Sequence, residues 1–368
     1  MTTDLTTDLT TDPTTDPTTD PTTVPTAPGT CALPPPRGPL SEALGDVLLG
    51  APGAPAAPEL HRLAAAACSG DVLADEDVQL SLTLLYELHY RGICGAADEL
   101  EWDPGLLGVR ARLEAVFEAA LRELVDVPAV APQEVAQTLF AMAAADGGPG
   151  LSGHLARRAT LEHYREFLTH RSVYHLKEAD PHTWAIPRLA GGPKAALVEI
   201  QADEYGGGRA ERAHAALFAR TMRALGLDDT YGAHLPLVPA RTLATVNAMS
   251  LFGLHRRLRG AIVGHLAIFE MTSSLPNRAY GDGLRRLGFG REATWFFDEH
   301  VEADAVHEQI AGRDLAGALV RGEPRLAGDV LFGAAACLAL EELVAADVLD
   351  AWGAGRSSLL GSGQHTGS

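Results

Sequence analysis

The feature that most constrains the fold is a series of segments whose apolar residues recur at helical spacing. In the segment 106–124 one helix face would collect Leu106, Val109, Leu113, Val116, Phe117 and Leu121. Alternation of apolar and polar residues, which is typical of half-buried strands, is rare from residue 40 onward. The pattern therefore predicts an all-α protein, and short connections between the helices predict a bundle.

Helix boundaries follow from the same periodicity and from residues that start helices. Asp75 and Pro132 each stand before an apolar-periodic run and indicate helix N-termini. Three prolines and two adjacent glycines in the stretch 181–194 predict a loop. We interpret it as a loop within one helical domain and not as a linker between two domains. The predicted helices are 60–68, 75–90, 106–124, 133–144, 151–177, 195–204, 209–225, 240–251, 256–273, 280–287, 292–311 and 327–349.

The two ends of the chain have a different character. The N-terminus repeats TTDL and TTDP and then becomes proline-rich, so it has almost nothing apolar to bury. The sequence predicts a disordered tail over residues 1–39, an N-terminal helical extension over 40–150, a second helical domain over 151–352 and a flexible tail over 353–368.

Charge and cysteine content narrow the class of function. The formal net charge is -19, and Lys177 and Lys194 are the only lysines, which argues against binding nucleic acid or an anionic membrane surface. No apolar run is long enough for a membrane span, and the start of the chain does not resemble a signal peptide. The four cysteines have no metal-binding spacing, so we expect free thiols and a cytoplasmic protein.

One acidic segment has the donor groups of a metal site. In WFFDEHVEADAVHEQIA, His300, Asp304 and His307 stand at i, i+4 and i+7, and on a helix they lie within about 60° of one another. Two imidazoles and a carboxylate suit Fe(II), Mn(II) or Zn(II). The alternative is a solvated face of an acidic helix, and other ligands elsewhere in the chain decide between the two.

His214 is the next candidate, because it lies on an otherwise apolar helical face. Glu211 is close to it in sequence, whereas Glu204 can join it only if the triple glycine between them lets the chain bend back. Either glutamate is a candidate ligand, and the sequence leaves the choice open. The alternative for His214 is a hydrogen-bonded core residue.

Two further glutamates lie in places where a partner is needed. Glu270 follows four apolar residues, an environment in which an ionised carboxylate requires a cation or a donor. That partner is either a metal ion or one of the arginines 256, 257 and 259. Glu178 ends a predicted helix in a polar patch and is either a ligand or part of a surface ion pair.

Taken together, these residues resemble a known family. DEYGGGRAERAH (203–214), GHLAIFE (264–270), RLGFG (286–290) and FFDEHVEADAVH (296–307) are similar to motifs of the haem-oxygenase-like diiron oxidases, also described as iron-containing redox enzymes. The resemblance covers residues 161–349. It implies a haem-oxygenase-like helical bundle, with the helices before residue 150 as an extension like that of N-oxygenating members.

The resemblance also implies a ligand set and an activity. The implied metal ligands are Glu178, His214, Glu270, His300, Asp304 and His307, with Glu204 as an additional carboxylate. The implied cofactors are two iron ions, with O2 as co-substrate. The implied reaction is N-oxygenation, desaturation or carbon–carbon cleavage of a small amine, amino-acid or fatty-acid-like substrate.

Two other functional hypotheses are based on the same residues. A metal-independent enzyme on this fold, of the pyrroloquinoline-quinone-synthase or thiaminase type, would use its histidines for acid–base chemistry. A helical iron-binding or interaction protein would hold iron without oxidising a substrate. For the enzyme reading we expect a small-molecule substrate, an external electron donor and a homodimer formed through the N-terminal helices.

Overall fold

The computed structural model describes residues 29–146 and 150–361, except for the side chains of residues 302–305. Apart from an isolated bridge between Cys31 and Ile93, the regular structure in these ranges is helical. The first helices are α1 (Pro39–Leu48), α2 (Ala57–Ala67), α3 (Glu76–Glu87), α4 (Pro104–Leu124) and α5 (Val135–Ala145). The prediction of an all-α protein is confirmed over this part of the chain.

The remaining helices contain the candidate ligands. They are α6 (Leu151–Arg157), α7 (Leu161–His175), α8 (Asp180–Thr183), α9 (Gly191–Glu204), α10 (His214–Ala224), α11 (Ala240–Leu254), α12 (Arg259–Arg286), α13 (Arg291–Gln309), α14 (Ala318–Gly322) and α15 (Ala327–Gly353). A π-helical stretch, Ile310–Gly317, joins α13 to α14. Such stretches are frequent at functional sites, and this one begins three residues after His307.

Local sequence explains where several helices begin. Asp75 accepts a hydrogen bond from the backbone N–H of Val78 and caps α3, as the sequence predicted. Thr160 caps α7 in the same way through His163. The segment 151–177, predicted as one helix, is therefore two helices, because the Thr160 cap starts a new helix after the break at Arg158.

The longest difference from prediction concerns α12. The sequence predicted separate helices over 256–273 and 280–287, yet α12 is continuous and contains Pro276. Proline removes one backbone hydrogen bond, but burial of the helix on both sides of it holds the two halves in line. The predicted helix 209–225 instead begins at His214, because short 3₁₀ turns occupy residues 206–212.

Helices α12 and α15 pack at very close range and form the centre of the bundle. A Cβ atom built on Gly264 would lie 1.8 Å from the carbonyl oxygen of Val330, and one on Gly333 would lie 1.9 Å from that of Ala261. Only glycine fits at these two points. The tight crossing fixes α12, on which Glu270 lies.

One hydrophobic core runs from the N-terminal helices into the rest of the bundle. Leu82 of α3 and Leu113 of α4 belong to the same buried cluster as Phe252 of α11 and Phe332 of α15. Asn247 of α11 donates a hydrogen bond of 2.8 Å to the side-chain oxygen of Gln79. The boundary predicted at residue 150 stays a prediction, since helices on both sides of it share this core.

The described ends of the chain are packed, unlike the predicted tails. Cys31 is buried, and its backbone N–H donates to the carbonyl of Gly92 at 3.0 Å. Ser358 donates from its backbone and hydroxyl to Glu166, at 2.8 and 2.7 Å. These paired backbone groups explain why residues 29–38 and 354–361 adopt a defined conformation. The TTDL and TTDP repeats (residues 2–21) lie outside the described residues.

No helix in the described ranges combines the length and apolar composition that a bilayer crossing requires.

Candidate metal centre

Six of the seven predicted ligands converge inside the bundle. Each belongs to a different position in the fold: the turn after α7, the end of α9, the start of α10, the middle of α12 and two turns of α13. Those six residues are Glu178, Glu204, His214, Glu270, His300 and His307, and none is more than 8% exposed. Burial of this many ionisable groups requires that each has a partner.

The glycine-rich connection between α9 and α10 brings Glu204 to His214. Gly206, Gly207 and Gly208 all have positive φ angles, of 74°, 59° and 80°. A Cβ atom on Gly206 would lie 2.5 Å from the backbone nitrogen of Ala213, so the chain folds back against itself there. The conformational freedom of glycine thus permits the reversal that the sequence required for a Glu204–His214 contact.

The first group of ligand atoms contains Glu178, Glu204, His214 and His300. One ligand atom from each lies within 4.8 Å of all the others. Nδ1 of His214 is 2.9 Å from Oε2 of Glu204, and Nε2 of His300 is 3.6 Å from Oε1 of Glu178. Two carboxylates and two imidazoles around one point form a donor set that suits iron.

The second group contains Glu204, Glu270 and His307, again within 4.8 Å of one another. Nδ1 of His307 lies 3.3 Å from Oε2 of Glu270. Glu204 therefore belongs to both groups. Asp304 lies between His300 and His307 along α13, but its side chain is outside the described part of the structure, and its role as a ligand stays a prediction.

The hydrogen bonding of these groups fits a bound metal ion. Among the described residues, Oε2 of Glu178, Nδ1 of His214 and Nδ1 of His307 are buried without a hydrogen-bond partner. The two imidazole nitrogens approach carboxylate oxygens closely, but the contacts lack hydrogen-bond alignment. Buried polar atoms are rarely unpaired in folded proteins, and metal ions bound by the two groups of ligand atoms would satisfy all three.

Three outer contacts orient the candidate ligands. Nδ1 of His175 lies 2.7 Å from Oε1 of Glu178, Nδ1 of His300 contacts the carbonyl of Phe296 at 2.8 Å, and Nε2 of His307 contacts Asp203 at 3.1 Å. A second hydrogen bond of this kind fixes which imidazole nitrogen faces a metal. Asp298 of α13 does not have this role, because it accepts hydrogen bonds from Arg285 and Thr294.

Protonation in the metal-free protein follows from burial and from these contacts. Burial opposes charge on His307, but Glu270 and Asp203 outweigh it and raise the pKa of His307 to about 9. Burial also opposes charge on His214, and the carboxylate of Glu204 raises its pKa in the same way. Burial raises the pKa of Glu270, which His307 only partly offsets. The imidazole of His307 therefore holds a proton near neutral pH, and a metal ion bound there would displace it.

Glu178 differs from the other carboxylates in both position and pKa. Burial opposes its ionisation, yet His175 and His300 hold the pKa of Glu178 well below its usual range. The prediction that Glu178 ends a helix is wrong, because α7 stops at His175 and Glu178 lies in the following turn. Ala179, the next residue, has a φ of 74°, a left-handed conformation that is uncommon outside glycine.

The structure also decides between alternatives that the sequence left open. Glu211 is exposed in a 3₁₀ turn, so Glu204 is the glutamate beside His214. Arg257 pairs with Glu118, and Arg259 pairs with Glu323, so these arginines are not the partners of Glu270.

A cavity of about 640 Å³ opens beside the centre, and sequence reasoning missed several residues in its wall. Arg171 makes a two-pronged ion pair with Glu341, at 3.0 and 2.7 Å. His182 also lines the cavity, and its Nε2 is 3.2 Å from Nδ1 of the buried His265. Helical spacing in α7 places Arg171 one turn before His175, the only hint that the sequence contained.

A search of curated proteins finds no match to this chain. A scan against protein-family models finds one family, described as iron-containing redox enzyme, over residues 165–342. This range contains all seven predicted ligands, and the family is a helical, haem-oxygenase-like one. Residues 165–342 of the chain thus match the model of the iron-containing redox enzyme family, the family that the sequence motifs resemble.

Proposed function

We propose that this protein is a non-haem diiron oxidase or oxygenase that uses O2 to oxidise a small organic substrate. The observation that supports this most strongly is the membership of Glu204 in two groups of ligand atoms, each within 4.8 Å. A carboxylate has two oxygens and can serve two metal ions. Glutamates and histidines from separate helices, arranged around a shared glutamate, are the pattern of carboxylate-bridged diiron proteins.

In this proposal each iron has its own donors. The residues that would hold the ions are Glu178, His214 and His300 at one position, Glu270 and His307 at the other, and Glu204 at both. Two ferrous ions bound there would supply the electrons that activate O2. The neutral imidazoles complete each donor set without adding negative charge, whereas the carboxylates favour the ferric product.

The wall of the cavity supports a reaction away from bulk water. Phe269 and Phe296 line the space beside the ligands, as does Leu266. Apolar side chains at this position would favour an organic substrate over water in the space beside the centre. His175, held 2.7 Å from Glu178, would keep that carboxylate aimed at its iron.

The Arg171–Glu341 pair supports an amine or amino acid as the substrate class. An arginine in a cavity wall can bind a carboxylate through two parallel hydrogen bonds, and a glutamate can bind an ammonium group. A zwitterionic substrate could use both partners. A long fatty acid would use only one of them and would leave the other charge in the wall without its partner. N-oxygenation, desaturation and carbon–carbon cleavage are all compatible with this class.

Oxygen consumption tests the proposal. Iron-loaded protein, supplied with a chemical reductant as external electron donor, is mixed with amines, amino acids and fatty acids, and O2 uptake and product mass are measured. We expect substrate-linked uptake only when iron is present. Product formation by iron-free protein would favour the metal-independent alternative, and iron binding without any substrate-linked uptake would favour a storage protein.

A further inference from the structure

The turn that contains Glu178 is held in place by residues outside the range 165–342 that matches the family model. A guanidinium nitrogen of Arg91 donates a hydrogen bond of 2.9 Å to the carbonyl oxygen of Leu176. Lys177, the following residue, extends in the same direction and is buried. Residues 176 and 177 therefore attach to the N-terminal helices, while residue 178 faces the candidate metal centre.

Lys177 contacts a carboxylate and an aromatic ring. Its ammonium lies 3.1 Å from Oε2 of Glu87, the last residue of α3, and 4.0 Å from the centre of the Tyr90 ring. The hydroxyl of Tyr231 lies 2.8 Å from both oxygens of Glu87 and donates to that carboxylate. Both side chains of the ion pair are at most 5% exposed, so each group serves as the buried counter-charge of the other.

The backbone conformation after Glu178 needs this support. The left-handed φ of 74° at Ala179 is a conformation that non-glycine residues keep only where their surroundings hold them in it. Gln201 donates a hydrogen bond of 3.0 Å to the carbonyl of Ala179, which fixes the far side of the turn. Glu178 thus lies between two anchors, one at Leu176–Lys177 and one at Ala179.

We propose that the buried Glu87–Lys177 ion pair is a positioning element for the metal ligand Glu178. The inference rests on the proposed metal function. Glu87 lies outside the residues 165–342 that match the family, so the N-terminal extension would contribute to the centre without supplying a ligand. A carboxylate ligand depends on neighbours that keep it oriented, and here these neighbours act through the backbone of residues 176–178.

The test is Glu87→Gln, measured by anaerobic Fe(II) titration of the full chain. The amide keeps the shape of the side chain but leaves the Lys177 ammonium buried without a counter-charge, so the turn relaxes. Titration of Glu178→Gln and Glu270→Gln first identifies which binding step depends on each carboxylate. In Glu87→Gln we expect the Glu178-dependent step to weaken about tenfold, as when an outer partner of a ligand is lost. The Glu270-dependent step should stay unchanged.

Glu114→Gln is the matched control. Glu114 is a buried carboxylate in the same N-terminal region, with 4% of its side chain exposed against 5% for Glu87, and it lies 2.9 Å from Nε2 of His255. It has no contact with residues 176–178 among those described. We expect this variant to lose stability and to keep both iron-binding steps.

The outcomes separate this inference from the proposed function. Wild-type protein that binds fewer than two irons contradicts both. If Glu87→Gln binds both irons as tightly as the wild-type protein does, the positioning role alone is overturned. The same holds if Glu114→Gln weakens the Glu178-dependent step as much as Glu87→Gln does. If Glu87→Gln fails to fold by circular dichroism, the double variant Glu87→Gln/Lys177→Gln removes both charges. A folded double variant with a weakened Glu178-dependent step supports the inference, and one with wild-type iron affinity overturns it.

Discussion

Glu204 is the residue on which both groups of ligand atoms depend. It ends α9, faces Glu178, His214 and His300 on one side and Glu270 and His307 on the other, and remains buried. Three buried carboxylates close together repel one another, and a buried unpaired charge is costly. In the metal-free protein the protonated imidazole of His307 offsets part of this repulsion, and bound cations would offset it more completely.

Removal of either histidine on α13 should empty one metal position and spare the other. Because His300 and His307 belong to different groups of ligand atoms, His300→Ala and His307→Ala should each lower the iron content from about two to about one per chain. Iron is measured by elemental analysis after anaerobic loading and desalting. Helix content, measured by circular dichroism, should not change.

His170→Ala is the control for these two variants. His170 is also buried, but it contacts Thr242 at 2.9 Å and Ser358 at 3.0 Å, away from the centre. Its loss should lower stability by about 1–3 kcal/mol and leave the iron content unchanged. If His300→Ala or His307→Ala retains the wild-type iron content, the assignment of that histidine as a ligand is wrong.

Iron binding should depend on pH through His307. Its pKa is raised to about 9, so below that pH the imidazole holds a proton that an incoming metal must displace. Affinity at the Glu270–His307 position should therefore rise by up to about tenfold per pH unit between pH 7 and pH 9, and then level off. Fe(II) titrations at several pH values measure this, and His307→Gln should abolish this pH-dependent step, because the variant lacks a ligand of the Glu270–His307 position. An affinity that falls across this range would contradict the protonation scheme.

The sequence could predict the relative placement of residues that lie on one helix. His300 and His307 fall seven residues apart on one helix, and that spacing alone brings them to the same face. Arg171 and His182 were not predicted as cavity residues, because lining a cavity depends on how distant helices pack. The conformation of Ala179 was equally out of reach, since alanine gives no local signal for positive φ.

At the scale of elements, the connection between α9 and α10 has the greatest influence on the centre. Gly206→Ala would place a Cβ atom 2.5 Å from the backbone nitrogen of Ala213 in a left-handed conformation. We expect a loss of about 2–4 kcal/mol in the free energy of unfolding, from backbone strain and overpacking together. Because His214 begins α10 directly after this contact, iron at the Glu178–His214 position should be lost as well. Denaturant unfolding and iron analysis measure the two effects.

Gly207→Ala separates strain from contact. Gly207 also has a positive φ, of 59°, but a Cβ atom there would meet no atom within 4 Å. This variant should lose only about 1 kcal/mol and keep its iron. Equal effects of the two substitutions would mean that the close approach at Gly206 does not position His214.

The elements that the sequence misjudged share a physical cause. Propensity predicts a break at Pro276, yet α12 continues because Gly281 and Leu284 beyond the proline are buried in the bundle. The start of α10 was predicted too early because residues 209–213 contain good helix formers, whereas the glycine reversal before them imposes another conformation. In both cases tertiary packing or backbone geometry outweighs local preference.

At the scale of the whole molecule, the N-terminal helices complete the core of the region that contains the candidate metal centre. A fragment that begins at residue 151 would expose Phe332, which lies under Arg122 of α4, and would leave Asn247 without Gln79. Exposed apolar surface and unpaired buried polar groups both destabilise the fragment. We expect it to show no cooperative thermal unfolding and to hold no iron, as measured by calorimetry and elemental analysis.

The intact chain, purified in the same way, is the reference for this comparison. If the fragment unfolds cooperatively and binds iron with wild-type stoichiometry, the N-terminal helices form a separable domain. That result would contradict the dependence of the candidate metal centre on the N-terminal helices, including the contribution of Glu87.

The most direct test of the account is an anaerobic Fe(II) titration of the full chain, followed by exposure to O2. Two groups of buried ligand atoms that share Glu204 predict saturation at about two irons per chain, and O2 should then produce a transient visible absorption band. Saturation at a single iron, or at none, with no O2-dependent absorption, would contradict the diiron centre.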